Sequence, residues 1–159
     1  MKIKIICVGK IREKYLKDGI EEYAKRMSRF CTLEICELPD VRIPERASES
    51  QCSAVKNAEG EAILKAISKD SYVISLCIEG KALTSEGLAE KISSVTIDGK
   101  SSIDFIIGGS LGISNAVKNR SDFKLSFSSF TFPHQLMRLI LTEQLYRAFK
   151  INANEEYHK

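Results

Sequence analysis

The chain has 159 residues, of which 43% are hydrophobic and 28% charged, a composition that supports one globular domain with its own core and needs no disulfide or metal staple. Nine Gly and three Pro are too few for long disordered stretches. The net charge of +3 permits an RNA partner but excludes a dedicated nucleic-acid coat protein, and no apolar run approaches the roughly 20 residues that cross a bilayer.

The opening residues Met1-Lys2-Ile3-Lys4-Ile5-Ile6 alternate as a strand does, not as a targeting segment does. The first strand is read as Lys2–Val8 and is broken by Gly9. A helix over 11–30 follows, its apolar positions Tyr15, Leu16, Ile20, Tyr23, Ala24 and Met27 keeping the 3.6-residue period. Thr32–Leu38 reads as a second strand, stopped by the turn pair Pro39-Asp40. A polar, mobile loop over 41–51 is expected next. A helix over 52–68 and a strand over 72–78 follow, with Glu79-Gly80-Lys81 ending the strand. Ser85 is expected to cap a short helix through Ile92. An apolar strand over 103–107 runs into Gly108-Gly109-Ser110-Leu111-Gly112, a short helix is read near 115–118, and a last strand over 123–127. After a loop over 128–132, Pro133 suits the first turn of a final helix reaching 150.

Strands alternating with helices imply an α/β fold: a single domain over 1–159, a mostly parallel sheet with helices on both faces. The five cysteines (Cys7, Cys31, Cys36, Cys52 and Cys77) are odd in number and contain no C-x-x-C pair. They are expected to be structural thiols in a reduced cytoplasmic setting, and with only His134 and His158 beside them no metal site is expected.

Ligands of open α/β sheets bind at the carboxyl ends of the strands. Three segments fall there: the end of the strand over 72–78, the glycine loop Gly108–Gly112, and the loop over 127–132. The glycine loop serves equally as a ligand cradle or as a tight strand-to-helix turn. It lacks both the G-x-G-x-x-G spacing of dinucleotide folds and the Lys of a P-loop, so a ligand without a polyphosphate fits better. On the last helix His134, Gln135, Arg138 and Thr142 share an arc of roughly 100°. His134 reads either as a site residue or as a satisfied histidine at a helix start, and Arg138 either as a ligand contact or as the partner of a carboxylate. Glu143 and Arg147, four apart, read as a structural pair. Apolar residues on several sides of this helix put it either deep in the core or against another subunit, and a dimer is the favoured expectation. The tail Glu155-Glu156-Tyr157-His158-Lys159 reads by itself as solvated chain end.

Across its whole length the sequence resembles the ribosomal RNA large subunit methyltransferase H family of the SPOUT class. The residues that carry the resemblance are Val8-Gly9-Lys10, Glu79-Gly80-Lys81 with Ser85-Glu86-Gly87, FIIGGSLGIS from Phe105, LSFSSFTFPHQLMR from Leu125, and EQLYRAFKI with the terminal YHK. The resemblance implies a C-terminal trefoil knot, a homodimer, S-adenosylmethionine as methyl donor, and as acceptor N3 of a pseudouridine in the helix 69 stem-loop of 23S rRNA in assembled ribosomes. It places the cofactor at Leu76, Gly108 and the loop Phe127, Ser128, Ser129, Phe130, Thr131 and Phe132. It gives the tail a role: His158 as base, with His134 its rival, Tyr157 against the target base, and Arg138 on a phosphate or a carbonyl. The cations Lys118, Arg120, Lys124, Arg147 and Lys159 are expected to meet RNA. The chain departs from the family pattern at Ser129 and Phe130, where Lys and Met are usual, and at Asn154, where Gly is usual. The rival readings are a small Rossmann-like nucleotide-binding enzyme and a non-catalytic RNA-binding module.

Overall fold

The computed structural model describes residues 1–157; the roles assigned to His158 and Lys159 lie outside the described residues. Five strands, β1 (Lys2–Val8), β2 (Thr32–Leu38), β3 (Tyr72–Ala82), β4 (Ser102–Ile107) and β5 (Phe123–Ser126), alternate with five helices, α1 (Lys14–Met27), α2 (Glu49–Ala66), α3 (Ser85–Ile97), α4 (Asn115–Arg120) and α5 (His134–Asn152). The strands form one sheet in the order β2-β1-β4-β3-β5, and every neighbouring pair is parallel.

Parallel strands covered on both faces bury side chains of either parity. On β1, Ile3, Ile5 and Cys7 enter the core under α1, α3 and α5, whereas Ile6 and Val8 enter the smaller core under α2 and α4. On β4, Ile103, Phe105 and Ile107 face the first core and Ile106 the second. This explains why both strands read as nearly unbroken apolar runs. All the carboxyl ends emerge along one edge, which brings Gly9, the end of β3, Gly108 and Phe127 together.

Several boundaries differ from the sequence reading, each for a local reason. The helix expected over 11–30 starts at Lys14, because the backbone N–H groups of Ile11 and Arg12 donate to the side chains of Glu37 (2.9 Å) and Gln135 (2.8 Å). α2 starts three residues early, at Glu49: Ser48 and Gln51 form a capping box, so part of the expected loop is helix. Thr84, not Ser85, caps α3 by accepting from Gly87 N (3.0 Å), and the helix runs on to Ile97. Glu79-Gly80-Lys81 does not end β3. The strand continues to Ala82 after a register shift against β5, from Leu76↔Leu125 to Lys81↔Leu125.

α2 and α4 meet at Gly60, which is buried. A Cβ there would stand 2.2 Å from Ser114 Oγ, the oxygen that caps α4 by accepting from Val117 N. Gly60→Ala should therefore separate the two helices or undo the cap. The expected loss is about 1–3 kcal/mol, read as a lower urea midpoint at unchanged slope.

Candidate functional site

The register shift in β3 makes the site. Residues 77–80 leave the ladder and line one wall of a cleft of about 750 Å³, whose other walls are the glycine loop after β4, the loop after β5 and the first turn of α5. Gly80 is what lets the strand return: a Cβ there would lie 2.7 Å from the backbone carbons of Lys124 and Leu125. A cleft of this volume lies within the range of small-molecule pockets, about 300–1,000 Å³. Its lining is largely apolar, with Leu76, Ile107, Leu125, Phe127 and Met137 among it, and two large apolar side chains at its walls, Ile78 (60% exposed) and Phe130 (79%), are left uncovered. Uncovered apolar surface inside a concave site is a binding feature more than a packing one.

Of the cofactor residues expected from the sequence, Leu76, Gly108, Phe127, Ser128, Phe130, Thr131 and Phe132 line this cleft, and Ser129 is exposed outside it. The loop is shaped from within: Phe130 N donates to Ser128 Oγ (3.0 Å) and Ser126 Oγ to Ser128 O (3.4 Å). Gly108 serves the turn itself, since a Cβ there would clash with Ile113 and Gly112 at 2.8–2.9 Å. The sequence reading missed Ile78, Glu79, Leu125 and Met137. The pattern that marked them was Glu79-Gly80-Lys81, where the glycine signals close backbone approach and not a strand end.

Two lysines, Lys56 and Lys118, line the cleft. Lys118, on its wall, is neutralised by an ion pair with Glu79, and that hydrogen bond holds the Glu79 carboxyl below its usual range. Burial, and then the nearby Glu79 charge, push the Cys77 thiol up, so it stays protonated and is no nucleophile. The other buried thiols are raised further by desolvation, Cys7 to about 12 and Cys31 to about 11, and all five cysteines are free. Among the described residues no cluster of three metal-ligating side chains exists, and no helix is long and apolar enough to cross a membrane.

The polar arc of α5 divides. His134, half-buried, lines both this cleft and a second, of about 420 Å³, that adjoins it across Gly109 and Ser110. Arg138 is fully buried beneath that second cleft, where its guanidinium donates to Glu37 Oε1 (2.8 Å), Val8 O (2.8 Å) and Gly9 O (2.7 Å). Of its two sequence readings, the carboxylate partner is the one its contacts display. Thr142 donates back to Arg138 O (2.6 Å) and stays inside. Tyr157 does not line the cleft of its own chain. Its hydroxyl donates to Glu143 (3.1 Å), its ring meets Tyr146 edge-on at 4.8 Å, and burial raises its pKa. Glu143 and Arg147 form the expected pair at 2.6 Å. Of the other cations read as RNA contacts, Arg120 approaches Asp122 at 3.5 Å and Lys124 is exposed.

Residues 1–158 match a family model described as "Predicted SPOUT methyltransferase". Proteins named "Ribosomal RNA large subunit methyltransferase H" from Clostridioides difficile (strain 630), Clostridium novyi (strain NT) and Bifidobacterium adolescentis are 55%, 56% and 57% identical, each over 100% of both chains. Among solved structures, that of "a probable methylase family protein" from Haemophilus influenzae Rd KW20 superposes with a TM-score of 0.53 at 18% identity, over 99% of this chain and 70% of the other. That likeness speaks for the fold alone.

Removing the buried guanidinium strands Glu37 and two carbonyls at once. Arg138→Met should cost about 3–5 kcal/mol, read by urea denaturation, and the loss should exceed that of Gln135→Met, whose single contact to Arg12 N lies at the surface.

Proposed function

The chain belongs to the SPOUT methyltransferase family, and from that premise we propose that it transfers a methyl group from S-adenosylmethionine to N3 of a pseudouridine in the helix 69 stem-loop of 23S rRNA, acting on assembled ribosomes in the cytoplasm. The name shared by relatives 55–57% identical along the whole chain supports the ribosomal RNA substrate. The observation that carries the reading is the cleft itself: apolar walls, two uncovered apolar side chains, and its one ion pair, Lys118 with Glu79, at the wall.

These features suit S-adenosylmethionine, which pairs a flat adenine with a cationic sulfonium and carries no polyphosphate. Leu76, Ile107 and Phe127 would sandwich the adenine, and the backbone of residues 127–132 would hydrogen-bond its edge. The ion pair with Glu79 offsets the charge of Lys118 on the wall that would face the sulfonium. Bound there, the donor supplies an electrophilic methyl carbon for in-line displacement. The protein's own tasks are to hold the acceptor in line and to take the N3 proton, since a protonated imide nitrogen is a poor nucleophile.

Two imidazoles are available for that proton. His134 stands in the chain's own site, at the junction of the two clefts. His158 follows Tyr157, the last described residue, which lies beyond the far end of α5, and the nineteen residues of that helix span about 28 Å. The tail therefore serves the cleft of a second copy, and we assign the protein a homodimer on this ground. Arg138 positions α5 through its bonds to Glu37, Val8 and Gly9.

Ribosomes lacking the modification, incubated with labelled donor, should gain one methyl group that mass mapping places on the helix 69 pseudouridine. Calorimetry should show S-adenosylmethionine binding and no binding of NAD or ATP, against the nucleotide-enzyme reading; RNA binding with no donor binding would instead mark a non-catalytic module. Of His134→Ala and His158→Ala, the variant that removes the base should lose about 10²–10⁴-fold in turnover while keeping donor affinity.

A further inference from the structure

The second cleft adjoins the donor cleft and shares Gly109, Ser110 and His134 with it. Its character is opposite. Lys10, Arg12 and Arg42 stand exposed around it, with Asp40 the acidic member of the same rim. Beneath them lies Glu59 of α2, 6% exposed. One of its oxygens, Oε1, accepts from Val41 N at 3.1 Å and so ties down the loop after β2. The other, Oε2, has no hydrogen-bond partner among the described residues. Arg138 Nε, under the same cleft, is likewise buried without a partner among them.

A buried carboxylate oxygen left unanswered is costly. Such groups are retained where a ligand answers them. Only glycine fits at position 109 beside this oxygen, because a Cβ there would fall 2.7 Å from Glu59 Oε2. The cleft thus offers one buried acceptor and one buried donor under a cationic rim. That pattern complements a nucleobase edge carrying an N–H beside a carbonyl, with phosphates outside. We propose that this cleft receives the acceptor nucleotide, and that Glu59 is a specificity-determining residue that accepts the N1–H of pseudouridine. This inference rests on the functional reading above and deepens it. Uridine has its glycosidic bond at N1 and no N–H there; pseudouridine, joined through carbon, exposes N1–H. A site built around a buried acceptor rejects the analogue that cannot donate to it. With N1–H held by Glu59, N3 on the other side of the C2 carbonyl is left free to face the methyl donor.

The test compares ribosomes carrying pseudouridine or uridine at the target position. Wild type should prefer pseudouridine in kcat/KM. Glu59→Gln keeps the acceptor for Val41 N but can present an amide N–H where N1–H must lie. It should lower the pseudouridine-to-uridine ratio at least tenfold, mainly through KM for the pseudouridine substrate, with donor affinity by calorimetry unchanged. Equal loss on both substrates, or an unchanged ratio, overturns the assignment of Glu59 and leaves the methyltransferase reading standing. Failure of wild type on both ribosomes sinks the functional reading, and the inference with it. Should Glu59→Gln fail to fold, wild type decides the matter on a target pseudouridine methylated at N1. Loss of activity there, to the level on uridine, is the expected result, and full activity overturns the proposal.

Discussion

Arg138 carries its charge into the interior between α5 and the ends of β1 and β2. With no water around it, the guanidinium must be answered by the protein, and it is answered by groups more than 100 residues away in the chain: the carbonyls of Val8 and Gly9 and the carboxylate of Glu37. Glu37 also accepts from Ile11 N, and Gln135, one turn earlier on α5, accepts from Arg12 N. The start of the last helix is thereby fastened to the loop that follows the first strand. The segment 127–132 runs between β5, fixed in the sheet, and α5, fixed by this knot of hydrogen bonds. Neither cleft keeps its shape without both anchors. The cost of burying a charge goes into fixing the start of α5, which explains why an arginine with no exposure occupies the sector of the helix beside the second cleft.

The two clefts differ in physical character. One is apolar and made by a strand that bulges out of its ladder, so the space it encloses is bounded by side chains that would otherwise pack against β5. The other is polar, rimmed by cations and floored by Glu59. The glycine loop runs between them and belongs to both. Its residues meet different needs: Gly108 packs the turn on Ile113, whereas Gly109 makes room for Glu59. A loop that the sequence leaves open between turn and cradle is both at once, residue by residue.

Strands were the most legible part of the chain. β1 and β2 match the sequence reading in every residue: β1, central and buried on both faces, concentrates isoleucine before the break at Gly9, and β2, a half-buried edge strand, is bounded by the turn at Pro39. Helix starts were less so. Periodicity extends a helix until something competes for its backbone, and the competitors of 11–13 lie on β2 and α5, beyond any local pattern. The start of α2 was legible but overlooked: Ser48 and Gln51 have the capping-box spacing. Three remote segments picked from the rule that ligands sit at strand carboxyl ends do converge on the walls of one cleft. Glu59 was not found, since a glutamate in mid-helix looks like any solvated position until the fold covers it. Arg138 had two sequence readings, and only burial distinguishes them.

The tail shows how a departure from the family pattern is absorbed. Asn154 stands where glycine is usual, and its φ of +53° is the left-handed region that glycine favours and asparagine tolerates best among the rest. The backbone reversal that ends α5 is therefore kept without the glycine. Beyond it, Glu155 is gripped by Arg29 and Lys150, which hold its carboxyl below the usual range, and Tyr157 is locked between Glu143, Tyr146 and Arg147. Residues 154–157 are thus ordered by their own chain before any second copy approaches. A segment so held has already surrendered the freedom that binding would otherwise remove. Presented from the far end of α5, it is a pre-ordered element, held by contacts within its own chain and apart from the cleft that the first turn of the same helix lines.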